Sequence, residues 1–223
     1  MRTLNFYRSA EDINNAMGRV YGLMAVSVGI SMFVAMAIPI ELLAFLHTGI
    51  MHWITVLSPL VILLIIAKVG IETLSKNAAL ACLFGFAALM GLSFSTIFVV
   101  YTQGSIVSAF MGGAVLFSTL SIWGYFTKRD LTAVGNFMFV GLIAIILASI
   151  INIFIGSTLM TMVISAIAIV VFLGLTAYDT QKIRETVSLE NGLGNAEVIG
   201  ALTLYLDFIN LFLSLLQLFG DRR

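Results

Sequence analysis

Two aspartates lie where charge is hardest to keep. Asp207 sits near the middle of Ala201–Phe219, a stretch otherwise almost wholly apolar, and Asp179 closes the apolar run before it. A charged side chain at the centre of a membrane helix costs about 2.5–3.5 kcal/mol on insertion scales, so such residues face a partner or a water path. Thr203, Asp207, Asn210, Ser214 and Gln217 follow one another at spacings of 4, 3, 4 and 3, which is one face of an α-helix. Lipid cannot satisfy that stripe, so it turns toward other helices or toward water. Thr203 and Ser214 equally suit plain hydrogen bonding between helices. Asp179 is also readable as an interfacial carboxylate, solvated or paired with Lys182 one turn on.

If the two acids meet, their chemistry follows. Close carboxylates in low dielectric resist ionising together and titrate as a unit. The pair can hold one proton or offer oxygens to a hard cation. Calcium takes about 6–8 oxygen ligands. Asp179 and Asp207, with Asn210, the hydroxyls of Thr176, Thr203 and Ser214, and water, make a loose, low-affinity set. Depth is the obstacle. At about 1.5 Å per residue, Asp207 lies about 15 Å into its helix, whereas Asp179 reads as shallower. Contact requires the sixth helix to end deeper or water to reach in.

The elements that must position these residues are membrane helices. The 223 residues are 61% hydrophobic and only 10% charged, against about 25% charged in soluble domains. Mean hydropathy is +1.11. A net charge of zero gives no basic surface for nucleic acid. Seven stretches approach the ~20 apolar residues a crossing needs: Val20–Ile38, Trp53–Ala67, Ala78–Tyr101, Ser105–Phe126, Ala133–Phe154, Thr158–Tyr178 and Gly200–Phe219. The second is short and holds Pro59. The expected architecture is therefore an all-α membrane protein, residues 1–223 forming a single seven-helix domain with residues 1–17 as a short cytoplasmic leader. No secretory signal pattern is present.

Basic residues orient the bundle. Arg2, Arg8, Arg19, Lys68, Lys76, Lys128, Arg129, Lys182 and Arg184 fall on the leader and on alternate connections; of the eleven basic residues, this leaves only Arg222 and Arg223 elsewhere. The bias puts the N-terminus in the cytoplasm. Seven crossings then leave Arg222 and Arg223 outside, and a last segment that re-enters is the alternative. His47 and His52 read as interface residues, Cys82 as a packing residue, and Gly18 with Gly22 as a close-packing pair. Ser149 and Asn152 read as helix glue or path lining. No P-loop, zinc spacing or nucleophile elbow occurs.

Three stretches carry a resemblance: Phe172–Lys182 (FLGLTAYDTQK), Gly200–Phe212 (GALTLYLDFINLF) and Gly124–Thr132 (GYFTKRDLT). Together they resemble the transmembrane Bax inhibitor motif family, the Bax inhibitor-1 family, in its bacterial inner-membrane branch. The resemblance implies seven helices with the last one central. It also implies a pH-sensitive calcium leak governed by an aspartate dyad, matching Asp179 and Asp207, with no cofactor and no enzymatic activity. In some members a basic residue near the second helix latches the dyad; Lys68 and Lys76 are the candidates here, with Thr73 between them. Eukaryotic relatives suppress cell death and lower stored calcium, and a bacterial relative restrains a membrane protease. A non-transporting regulator that binds a membrane protease or another membrane complex is therefore the competing function. An intramembrane aspartyl protease is a weaker fit: Tyr178-Asp179 suits it, but Gly192-Leu-Gly-Asn195 ends in an amide that cannot serve as a general base.

Topology yields the first prediction. Reporter fusions after Lys128 and after Lys182 read cytoplasmic, and fusions after Gly156 and on the tail read external. An external signal at Lys128 overturns the arrangement.

Overall fold

The computed structural model describes residues 8–46, 48–189 and 195–223. The start of the leader, His47, and the 190–194 part of the sixth connection, with Gly192-Leu-Gly, lie outside them, as does the side chain of His52. Among the described residues the chain is helical: α1 Ala10–Ala37, α2 Ile40–Leu46, α3 Gly49–Val69, a 3-10 turn Ile71–Thr73, α4 Lys76–Phe94, α5 Ile97–Val100, α6 Gln103–Phe126, α7 Thr132–Ile155, α8 Thr158–Ser188 and α9 Ala196–Phe219. Seven helices are long and apolar enough to cross a membrane, as the hydropathy predicts.

Boundaries follow local chemistry. Ser9 caps α1 by accepting from Asp12 N at 3.1 Å, and Glu11 and Asp12 favour the positive end of the helix. The first helix thus starts at Ala10 rather than Val20, taking in part of the leader. It stops at Ile38, held extended by Pro39. Asp130 Oδ1 accepts from Thr132 N at 2.8 Å at the start of α7. The Thr132 hydroxyl and amide hold the exposed Asp130 carboxyl below its ordinary value. That contribution is present at neutral pH and is lost as pH falls through the lowered value.

The chain divides into two compact units. The first comprises residues 1–100 and 185–205. Here α1 meets α4 so closely that a Cβ on Gly91 would stand 2.6 Å from the Ser31 carbonyl oxygen. Ser31 Oγ lies 2.7 Å from both Ala87 O and the Tyr205 hydroxyl. Pro59, inside α3, has no N–H for the carbonyl of Thr55. Hydroxyls replace it: Ser93 Oγ of α4 donates to Thr55 O at 2.8 Å and Ser58 Oγ at 3.1 Å. Arg19 forms a two-pronged ion pair with Glu197, at 2.9 and 2.7 Å. Among the described residues Gly18 and Gly22 do not form a close-packing pair: nothing lies within 4 Å of a Cβ at either.

The second unit comprises residues 101–184 and 206–223. Glycines let α6 and α7 approach α8. A Cβ on Gly124 would strike the Ala177 carbonyl, and one on Gly135 the Tyr178 ring. Otherwise α7 faces outward, with none of its membrane-spanning window buried, as suits a helix solvated by lipid. By contrast, 72% of the corresponding window of α9 is buried. The tail folds back on the α5–α6 turn. Thr102 N donates to Asp221 O at 3.1 Å, Asp221 N donates to Ser105 Oγ at 2.9 Å, and Arg222 stacks over Tyr101 with its guanidinium carbon 5.8 Å from the ring centroid. An unbroken α9 of 24 residues spans about 36 Å. Helix length and tail contacts both fit a full crossing rather than a re-entrant segment.

The glycine notches are testable. Alanine raises helix propensity by up to about 1 kcal/mol over glycine, so Gly112→Ala, with open space at its Cβ, is neutral or stabilising in a thermal melt of the micellar protein. Gly124→Ala pushes on backbone and loses about 1–3 kcal/mol. Equal melting temperatures for the two variants refute the close approach.

Candidate functional site

Asp179 does not end its helix. The sixth segment runs on to Ser188, so Asp179 lies 9 residues, about 14 Å, inside α8. Asp207 lies 11 residues, about 16 Å, inside α9. The depth mismatch read from hydropathy disappears, because the amphipathic extension Thr180–Ser188 is helix and not connection.

The two side chains are in hydrogen-bond contact. Asp207 is buried, with 4% of its surface exposed, and Asp179 is half-buried. Oδ2 of Asp207 has no amide or hydroxyl donor among the described residues. Neither carboxylate can donate, so a hydrogen bond between them requires a proton on one. Lys182, one turn beyond Asp179, acts on it with its positive charge and lies 5.5 Å over the Tyr178 ring. Chemically, such a pair can hold one proton or offer oxygens to a hard cation.

Three stretches of α6, α7 and their turn cradle the Asp179 segment. Gly124 admits Ala177, and Gly135 admits Tyr178. Ser121 Oγ and Thr180 Oγ1, both buried, are 2.8 Å apart. The Gln181 amide bridges the α6–α7 turn, accepting from Leu131 N at 3.0 Å and donating to Arg129 O at 2.9 Å. Arg184 donates to Tyr125 O at 3.0 Å. On α9, the neighbour of Asp207, Phe208, packs edge-on against Phe110 and Phe117 of α6, at 5.4 and 5.7 Å between centroids. One helix, α6, thus fixes both acid-bearing helices.

The other candidate residues separate into groups. Thr176, Thr203, Asn210 and Ser214 each donate to a carbonyl one turn back on their own helix, at 2.7, 3.1, 2.8 and 2.7 Å. Small polar side chains commonly satisfy themselves this way. Gln217 reaches another helix, accepting from Ser165 Oγ at 2.7 Å. Lys68 and Lys76 are exposed at the end of α3 and the start of α4, in the unit other than that of the two aspartates. Asn195 is buried and donates to Ile71 O and Leu74 O, both at 2.8 Å, which gives it a structural task. Among the described residues no cluster of three or more His, Cys, Asp or Glu side chains could cage a metal. A hard cation held there would need carbonyls, hydroxyls and water to complete its shell. Sequence reasoning missed Ser121, Thr180, Gln181 and Arg184. Their only signal was membership of, or closeness to, the Gly124–Thr132 and Phe172–Lys182 stretches.

Comparison with known proteins finds similarity over nearly the whole chain. Residues 13–223 fit the family model described as inhibitor of apoptosis-promoting Bax1. The inner membrane protein YbhL of Escherichia coli K12 is 41% identical over 215 residues, covering 93% of this chain and 92% of that protein. An uncharacterized membrane protein of Streptococcus pyogenes serotype M3 is 38% identical, covering 96% of each chain. The uncharacterized protein YrjE of Lactococcus lactis is 36% identical, covering 96% of this chain and 94% of its own.

A proton shared by the pair would have a spectroscopic signature. In an infrared pH titration, the wild-type protonated-carboxyl band shifts in frequency or titration midpoint, or is lost, in both Asp179→Asn and Asp207→Asn. A band unchanged in both variants refutes the pair.

Proposed function

The chain belongs to the Bax inhibitor-1 family of membrane proteins, and from that premise we propose that it is a proton-regulated calcium leak whose gate is the Asp179–Asp207 pair. The observation that carries this reading is the carboxyl–carboxyl contact within the spans, with one oxygen left without an amide or hydroxyl donor. An acid is a costly way to join helices when Ser, Thr and Asn suffice. A proton between the acids holds α8 to α9. Its loss leaves two like charges side by side, which repel each other and attract a divalent cation. Calcium here is cargo, held briefly by few ligands, and protons are the regulator.

The high burial of α9 supports its placement among the other helices. In this reading the protein resides in a bacterial inner membrane with its N-terminus in the cytoplasm. It acts as a channel or transporter and not as an enzyme.

Purified protein in liposomes tests the gate. Wild-type calcium flux changes between about pH 5 and 8, the window in which coupled or shifted groups titrate. Asp207→Asn keeps the shape and removes one of the two coupled carboxyls, so the pair no longer titrates as a unit and the wild-type response in that window is lost. Asp179→Asn flattens it likewise, and the double variant adds little, since coupled sites act as one. Glu11→Gln, exposed on the first turn of α1, leaves the response intact. Full pH dependence in both single variants sinks the gate. Absence of any wild-type flux transfers the function to the non-transporting regulator of a membrane protease or other complex.

A further inference from the structure

Two cavities flank the last turn of α9 within the second unit. One, about 430 Å³, opens between α6 and α9 with Asp221 at its rim. The other, about 500 Å³, is lined by Ser149 and Asn152 of α7, Thr161 and Ile164 of α8, and Gln217 and Arg222. Helical periodicity gives them different destinations. At about 100° per residue, Phe208, Phe212, Leu215 and Phe219 share one face of α9, while Asp207, Asn210, Ser214 and Gln217 share the opposite one. The first face packs on α6, where Phe110 meets both Phe208 and Phe212. The smaller cavity therefore leads into phenylalanines packed edge-on. The larger lies on the face that carries the acid.

The larger cavity is a built site. Asn152 Nδ2 donates to Thr161 Oγ1 at 2.7 Å and to Ser157 O at 3.2 Å, and its Oδ1 accepts from Ser157 N at 3.1 Å, so the α7–α8 turn is locked with its polar groups in place. Gln217, on the cavity's lining, accepts a hydrogen bond at 2.7 Å from Ser165, which is not itself on the lining. Ser165, Ala168 and Ser214, at and beyond that bond, are 1%, 4% and 8% exposed. The only full charge on the lining is the guanidinium of Arg222.

Resting on the leak reading above, we propose that this cavity is the entrance by which small hydrated cations reach the carboxyl pair. The Ser165–Gln217 bond is the door beneath it, and Arg222 is a selectivity-determining residue. A positive rim lowers the local concentration of cations, and of divalent ones most, and salt screens that effect.

Two measurements test the entrance separately from the leak. In a Cys82→Ala background, a membrane-impermeant cationic thiol reagent modifies Thr161→Cys and Ile164→Cys. Ser214→Cys, below the door, is protected and becomes reactive when Gln217→Ala is added. In liposomes, Arg222→Glu raises calcium flux several-fold at low salt, with the gain fading at high salt, while Arg223→Glu does not. Failure of both cavity cysteines to react from either face overturns the entrance. Protection of Ser214→Cys that survives Gln217→Ala overturns the door, and equal flux from the two arginine variants overturns the role of Arg222. If labelling follows the pattern but the wild type carries no calcium, the leak reading falls while the water-filled cavity and its door stand.

Discussion

A carboxyl group buried in an apolar bundle needs a partner, and here the partner is another carboxyl. That constraint governs the second unit. Neither acid can donate without a proton, so a hydrogen bond between Asp179 and Asp207 requires one of them protonated. A serine pair such as Ser121–Thr180 joins helices at any pH. The acidic pair joins them conditionally. The same position can thus be adhesive or repulsive, and the difference is one proton.

A conditional contact is useful only if its surroundings do not yield with it. The Asp179 segment is held by unconditional ones: backbone against glycine at Gly124, ring against glycine at Gly135, and the Gln181 amide spanning the α6–α7 turn. On the other side, edge-on phenylalanine contacts seat Asp207's helix on α6. In the first unit, hydroxyls do similar work, most clearly where Ser93 takes over the carbonyl that Pro59 leaves open. Close-packed interiors respond to such local changes by switching between arrangements rather than by deforming smoothly.

Much of this was legible in the residues. The seven spans followed from apolar run length, and the polar stripe of α9 from 4-3-4-3 spacing. What failed was the end of α8. Hydropathy falls at Tyr178 because Thr180, Gln181, Lys182 and Arg184 are polar, yet the helix continues through Ser188, with Thr180 and Arg184 bonded to α6 and Gln181 to the α6–α7 turn. Run length reports on the bilayer and not on the helix. Gly18 and Gly22 erred in the other direction: their spacing suits close packing, but spacing alone names no partner helix. Single residues such as Ser121, Gln181 and Arg184 carry no periodic signal, because each contact joins positions about 50 to 59 apart in sequence.

The contacts that cradle Asp179 are made among α6, α7 and α8, without α9. Chain order therefore sets an assembly order. A ribosome feeding this protein into the membrane delivers α6, α7 and α8, the elements of the cradle, before α9. The helix bearing the more deeply buried acid arrives last and finds its receptor made. Insertion of α9 is then a docking event, templated by a preformed surface, rather than the partition of an isolated polar segment into oil.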